Sequence, residues 1–262
     1  MDLYTDNYRL FYATLTFIQI EWRFSNVFDF LGGKHVLRKE IVKIIDHTNL
    51  QPTATKEEIE QLCREAKEEG FYAVCVHPCY VKTARFFLKE SGVKICTVVG
   101  FPLGANDWET KAAEAELAIE NGAEEIDFVI NLGFVKSGFW EQVEEEIKQI
   151  TVRAKNKGKM LNKNIIVKVI VETCYLEEEE KIKLCNLVKQ SGADYIKTST
   201  GFGTAGAEVK DIELFKQIGG GSLKIKAAGG IRTLAKLQEM VKAGADRIGT
   251  SSAMAIIQEI TA

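Results

Sequence analysis

The stretch Gly192-Ala193-Asp194-Tyr195-Ile196-Lys197-Thr198-Ser199-Thr200-Gly201 decides how the chain is read. A Gly-Ala-acid turn leads into a short apolar run with a lysine inside it, and a glycine loop follows. The same turn recurs at Gly122-Ala123-Glu124 and Gly244-Ala245-Asp246, each time after a helical pattern. Helices that stop on glycine and pass into apolar runs mark alternating helix and strand. Eight such runs follow one another: Ile41–Asp46, Phe71–His77, Lys94–Gly100, Glu125–Asn131, Ile165–Glu172, Tyr195–Ser199, Lys224–Gly229 and Arg247–Ser251. Between them lie amphipathic stretches such as Lys56–Glu69, Trp108–Glu120, Glu141–Lys155, Leu176–Lys189 and Leu234–Val241. Strand alternating with helix predicts a parallel sheet. Eight units in 262 residues predict closure into a TIM (β/α)8 barrel, which typically takes about 250 residues. No Pro/Ser-rich linker breaks the series. The expected organisation is an N-terminal extension over residues 1–38, either packing on the barrel or an unremoved leader, and a catalytic barrel over 39–262.

Composition narrows the class. With 46% hydrophobic and 27% charged residues, the chain reads as a globular protein rather than a disordered or fibrous one. A net charge of −3, with both signs mixed along the chain, gives no reason to expect nucleic acid as a partner. No apolar run reaches the roughly 18 residues of a membrane span. The aromatic stretch Leu10–Ile18 lacks a basic leader and a small-residue cleavage site, which argues against a signal peptide. The six cysteines form no CxxC pair, and the expectation for each is a small buried thiol in a reducing, cytoplasmic compartment. His35, His47 and His77 are too few and too scattered for a metal triad, so no metal and no organic cofactor is expected. His47 and His77 stand near strand ends, where they either line the site's mouth or serve as ordinary hydrogen-bonded residues.

Interior positions of such a barrel are normally Val, Ile or Leu, so charges inside the strands are the informative anomalies. Asp127, Lys168, Lys197 and Lys226 occupy the middle of the fourth to seventh runs. A period of two also puts Glu172 on the face of Lys168, and Lys224 on that of Lys226; Lys224, at a strand start, is expected at the surface. Each lysine alone could face outward or snorkel. Three on consecutive strands could converge on the axis, where clustered ammonium groups would lower the pKa of at least one. A free amine in a dry pocket can form an imine with a carbonyl substrate, and Asp127 can relay protons.

Three glycine-rich strand ends lie side by side: Thr200-Gly201-Phe202-Gly203-Thr204, Ala228-Gly229-Gly230 and Gly249-Thr250-Ser251-Ser252. Glycine lets backbone amides approach an anion, and Ser251 and Ser252 are expected to open a terminal helix whose amides favour phosphate. The loops after the last two barrel strands are the usual phosphate site. A small phosphorylated substrate follows as an expectation.

Ile45-Asp46-His47-Thr48, Val74-Cys75-Val76-His77-Pro78, Val98-Val99-Gly100-Phe101-Pro102-Leu103-Gly104, Glu125-Ile126-Asp127, Ile196-Lys197-Thr198-Ser199-Thr200-Gly201, Lys226-Ala227-Ala228-Gly229-Gly230 and Arg247-Ile248-Gly249-Thr250-Ser251 together resemble the deoxyribose-phosphate aldolases, from about residue 40 to 253. That resemblance implies reversible class I cleavage of 2-deoxy-D-ribose 5-phosphate to D-glyceraldehyde 3-phosphate and acetaldehyde. It implies Lys197 as the imine-forming lysine, Lys226 as the second active-site lysine, Asp127 as the proton relay and Lys168 as a further buried lysine. With the glycine loops, the motifs put substrate contacts at Asp46, Cys75, Lys168, Thr198, Gly201, Gly203, Gly229, Gly230, Ser251 and Ser252. A homodimer or other homo-oligomer is implied as well. His77 stands where many relatives have Asn. The tail ending in tyrosine that some relatives carry has no counterpart in Gln258–Ala262, so turnover is expected to be lower, or another group to serve.

Two other enzyme classes fit the residues alone. A Schiff-base aldolase or transaldolase on another sugar phosphate would share Lys197 and differ in product. A phosphate-binding barrel isomerase would need no imine and would resist borohydride. A non-catalytic protein would leave the interior lysines unexplained.

Overall fold

Eight short strands close on themselves in chain order in the computed structural model, which describes residues 33–261. They are β1 (Ile45–Asn49), β2 (Ala73–Val76), β3 (Lys94–Val99), β4 (Glu125–Val129), β5 (Ile166–Ile170), β6 (Tyr195–Lys197), β7 (Lys224–Ala228) and β8 (Arg247–Thr250). All neighbours are parallel, and β8 returns to β1 through Ile45↔Ile248, Asp46↔Gly249 and His47↔Thr250. Around them run α1 (Gly33–Val42), α2 (Lys56–Glu69), α3 (Val81–Phe87), α4 (Trp108–Asn121), α5 (Leu132–Lys136), α6 (Trp140–Met160), α7 (Glu178–Gln190), α8 (Val209–Gly219), α9 (Leu234–Ala243) and α10 (Ala253–Thr261). The barrel expected from the sequence is the one that forms. The extension expected over 1–38 lies, but for the start of α1, outside the described residues, as does the side chain of His35.

Strand alternation sorts side chains into two shells. Val74, Ile95, Ile126, Phe128, Val167, Val169, Ile196, Ile225, Ala227 and Ile248 face the helices and form the main core. Inside the barrel, β1 to β3 supply a small apolar group of Leu50, Ala73, Cys75, Cys96 and Val98. The strands β4 to β8, with Asp46 on β1, fill the rest of the interior with charge. Local signals act as expected: Thr55 caps α2 in a reciprocal box with Glu58, and Gly70 ends it in the left-handed conformation. No helix among the described residues is long and apolar enough to cross a membrane.

Three expectations need correction. The first strand begins at Ile45, not Ile41: Ile41 and Val42 are the buried end of α1. The run Ile41-Val42-Lys43-Ile44-Ile45 suits either period, and helix packing decides it. The fifth strand ends at Ile170, so Glu172 does not share a face with Lys168; it sits in a left-handed turn with φ 53°. Not every cysteine is a buried thiol, since Cys79 is exposed and Cys174 half-buried in loops after β2 and β5. Lys224 is exposed, as its place at a strand start suggested.

Candidate active site

Asp127 is the hub of the barrel interior. β4 points Glu125 and Asp127 inward because Ile126 and Phe128, between and after them, fill the helix-facing shell. One Asp127 oxygen, Oδ2, accepts from Lys197 Nζ at 2.8 Å and Lys226 Nζ at 2.7 Å. The other, Oδ1, accepts from Lys168 Nζ at 2.7 Å and Cys96 Sγ at 3.1 Å. Lys226 also bonds Asp46, and Lys168 lies 2.6 Å from Glu125. Arg247 closes the floor, 2.9 Å from Asp46 and 3.4 Å from Glu125, with its guanidinium over the ring of Tyr72. Lys226 reaches this layer because β8 carries glycine beside it: a Cβ on Gly249 would come within 3.1 Å of Lys226 Cε.

Pairing, rather than mutual repulsion, sets the charges here. Burial works against the ammonium groups of Lys168 and Lys226, but Asp127 first, and then other anionic neighbours, outweigh it and hold both above the ordinary lysine range. The expected depression by clustered ammonium groups is therefore reversed for these two, because each lysine arrived with its own carboxylate. Burial likewise pushes Asp127 up, but Lys168, Lys197 and Lys226 hold it well below the usual carboxylate range. Asp46 follows the same pattern with Lys226 and Arg247.

Above the hub a cavity of about 520 Å³ opens at the C-terminal ends of the strands. Of the three lysines only Lys197 lines it, together with Gly201, Gly229, Gly230, Arg232 and Ser251. The phosphate-type loops and the candidate nucleophile thus share one space. Gly229 has φ 83°, and a Cβ there would sit 3.0 Å from Gly206 Cα, so the two loops touch backbone to backbone. His47 also lines the cavity, with Nε2 2.6 Å from Glu65, whereas His77 bonds the carbonyl of Leu50 at 2.9 Å. Asp46, Cys75, Lys168 and Lys226 lie beneath, in the charged interior.

Three candidates fall outside both groups. Thr198 bridges β6 to β7 through the carbonyl of Ala228, at 3.2 Å. Gly203 packs on the Glu172 turn, where a Cβ would meet Cys174 Sγ at 2.7 Å. Ser252 accepts the first helical bond of α10 through its carbonyl, from Ile256, so Ser251 and Ser252 precede the helix rather than begin it.

A family model for DeoC/LacD family aldolases matches residues 41–259. The chain belongs to this family. It is 51% identical over 219 residues to a deoxyribose-phosphate aldolase of a Thermoanaerobacter species, covering 84% of this chain and 96% of that one. It is 50% identical over 237 residues to that of Thermotoga petrophila, covering 90% and 92%. A solved deoxyribose-phosphate aldolase from Aeropyrum pernix, described as a unique tetramer, superposes with a TM-score of 0.78 at 34% identity, covering 86% and 92%.

The family frame leaves several site residues that sequence reading missed. Arg247, Glu125 and Cys96 complete the interior, and Arg247 and Glu125 are charges inside strands, the same anomaly that pointed to Asp127. Their place at strand starts hid them, because strand starts normally face solvent. Glu172 accepts from the amide of Thr200 at 3.2 Å and also bonds its hydroxyl, fixing the loop that lines the cavity. Burial pushes its carboxyl up against those bonds. Cys75, Cys96 and Asp127 could offer three ligand atoms to a metal, as could Asp46, Cys96 and Glu125. The ammonium and guanidinium groups already bonded to these carboxylates make either set a poor host for a cation.

Proposed function

We propose that this family member cleaves 2-deoxy-D-ribose 5-phosphate reversibly to D-glyceraldehyde 3-phosphate and acetaldehyde, with Lys197 as the imine-forming nucleophile. One observation carries the assignment. Lys168, Lys226 and Arg247 are matched in number by Asp46, Glu125 and Asp127, and Lys197 is the remaining amine, the only one of the three lysines on the cavity wall. The phosphate sits against the amides of Gly201, Gly229 and Gly230 and beside Ser251 and Arg232. That seat directs the aldehyde end inward to Lys197 Nζ.

The neutral amine of Lys197 adds to the aldehyde carbon, and loss of water gives a protonated imine. This iminium withdraws the electron pair of the C2–C3 bond as that bond breaks. The C3 hydroxyl gives its proton, through a bridging water, to the Asp127 carboxylate, which hands it on, and C3 becomes the aldehyde carbon of glyceraldehyde 3-phosphate. Asp127 stays ionised, so it stabilises the iminium and passes protons on instead of storing them. Lys226, which shares Oδ2 of Asp127 with Lys197, is the nearest group to exchange them. Protonation of the enamine at C2 and hydrolysis release acetaldehyde and restore the amine.

Two further readings belong to the same proposal. The family match starts at residue 41, which supports residues 1–38 as an appendage to the catalytic domain 39–262. The tetrameric relative supports a homo-oligomer, measurable by light scattering. The test of the chemistry is borohydride trapping with 2-deoxyribose 5-phosphate and peptide mass mapping. An adduct on Lys197 that disappears in a folded Lys197→Ala variant is the expected result. Absence of any adduct on the folded native protein would overturn the imine.

A further inference from the structure

Two interior groups have no task in the reaction above. Cys75 on β2 and Cys96 on β3 are direct register partners on adjacent parallel strands, and both point into the barrel. Adjacent strands lie about 4.8 Å apart, within the Cα separation that a disulfide spans. Their sulfur atoms and a carboxylate oxygen of Asp127 all lie within 4.8 Å of one another. Cys96 Sγ is 3.1 Å from Asp127 Oδ1 and 3.4 Å from Lys168 Nζ, so it touches the hub itself.

We propose that Cys75 and Cys96 form a dithiol that hydrogen peroxide oxidises to a disulfide, switching the aldolase off reversibly. The loss of activity rests on the function proposed above; the cross-link does not. Peroxide is smaller than the substrate, and to reach the pair it must pass the cavity wall at Lys197, because Cys75 and Cys96 lie beneath it. The two thiols are not equivalent. The hydrogen bond from Cys96, and then the charges of Lys226 and Lys197, draw the Cys75 thiol below its ordinary range. Burial, and then the bond to Cys75, keep Cys96 well above it. Cys75 is therefore the attacking sulfur and Cys96 the resolving one.

The steps balance. The Cys75 thiolate, its proton released, attacks one peroxide oxygen. The O–O bond breaks, and the departing hydroxide takes up a proton as water, leaving Cys75 as a sulfenic acid. Cys96 then loses its proton to Asp127 Oδ1, and its sulfur attacks Cys75 Sγ. The S–S bond forms, the S–O bond breaks, and the leaving hydroxide takes the proton from Asp127 as a second water. Two thiols are oxidised and one peroxide is reduced to two waters. An S–S bond of about 2 Å draws Cys96 Sγ away from Asp127 and Lys168. The carboxylate that serves Lys197 then shifts, and the reaction loses its alignment. A disulfide confined to neighbouring strands is strained and readily reduced, which suits a reversible device.

The experiment uses the whole protein carrying Cys79→Ser, which removes the one exposed cysteine from the Cys75 peptide. After peroxide treatment, denaturation with a thiol block and non-reducing tryptic digestion, mass spectrometry follows the peptides Glu68–Lys82 and Ile95–Lys111. The expected result is a linked pair lighter by two hydrogens. It rises as activity falls by about 100-fold in the oxidised fraction, the scale of a reacting group displaced by an ångström. Dithiothreitol reverses both, and Cys96→Ala forms no linked pair. Oxidation of Cys75 to sulfinate with no linked pair overturns the proposal, and so does a linked pair that leaves activity intact. If borohydride trapping fails while the linked pair forms, the aldolase reading falls and the dithiol stands.

Discussion

Lys197 and Lys168 are both buried lysines bonded to Asp127, yet replacing each by methionine should damage the protein in opposite ways. Lys168 is wholly buried and stands between Asp127 and Glu125, at 2.7 and 2.6 Å. Its loss leaves Glu125 with only Arg247 at 3.4 Å, and Glu125 Oε1 has no hydrogen bond to begin with. Removing one partner of a buried pair costs about 3–5 kcal/mol, because the remaining charge stays desolvated. With an m-value of about 3 kcal/mol/M for a domain of this size, the urea midpoint of Lys168→Met should fall by about 1 M or more. Lys197 is different, because Asp127 keeps Lys168 and Lys226 when it goes. Lys197→Met should cost about 1 kcal/mol, the ordinary cost of a substitution. Activity inverts the order. Lys197→Met should abolish turnover and borohydride trapping. Lys168→Met should keep trapping at Lys197 and lose about 100-fold in kcat, the cost of a displaced carboxylate. Paired urea melts and trapping assays measure both. Equal midpoint shifts, or trapping that survives Lys197→Met, would refute the division of Lys197 and Lys168 into a nucleophile and a structural cation.

Acid should act through the same hub. Asp127 and Asp46 are held below the ordinary 3.8, so their stabilisation is present above about pH 4 and lost as pH falls below it. Urea midpoints at pH 7, 5 and 3 should therefore drop between the last two, and Asp127→Asn, weaker throughout, should drop less. Gly229→Ala should raise KM for 2-deoxyribose 5-phosphate by about tenfold, since roughly 1–3 kcal/mol of backbone strain enters the phosphate loop. KM for unphosphorylated 2-deoxyribose should move much less in parallel steady-state assays. Glu172→Ala should lower stability by about 2 kcal/mol, because the Thr200 amide and hydroxyl lose a charged acceptor. Calorimetry measures that loss, and Glu172→Gln, which keeps one oxygen, should recover part of it.

The barrel was legible because strand and helix periods differ and because glycine ends the helices at Gly70, Gly122, Gly192 and Gly244. Where those signals overlapped, reading failed. Ile41 and Val42 satisfy both periods, and only their packing at the end of α1 resolves them. Glu172 shows the limit of counting by two: the chain leaves the strand at Ile170, and a left-handed residue turns the side chain towards Thr200. Sequence carries no sign of that turn, because the residue adopting it is not glycine. The glycine loops beside the cavity were legible for the opposite reason, since Gly229 is needed where its backbone meets that of Gly206.

The charged interior was half legible, and the missing half changes its meaning. Read alone, Lys168, Lys197 and Lys226 suggest a repulsive cluster that frees an amine by crowding. Repulsion would act on all three lysines and would not select one. Adding Glu125 and Arg247, and pairing Asp46 with Lys226, turns the cluster into matched pairs with one amine left over. Selection then comes from position, because the paired lysines are sealed beneath the cavity and Lys197 borders it. A carboxylate buried among three lysines would be costly if its only use were stability, since apolar packing would serve as well. Here it fixes Lys197 Nζ 2.8 Å from a carboxylate held ionised, where the iminium of the proposed reaction would form and need stabilising.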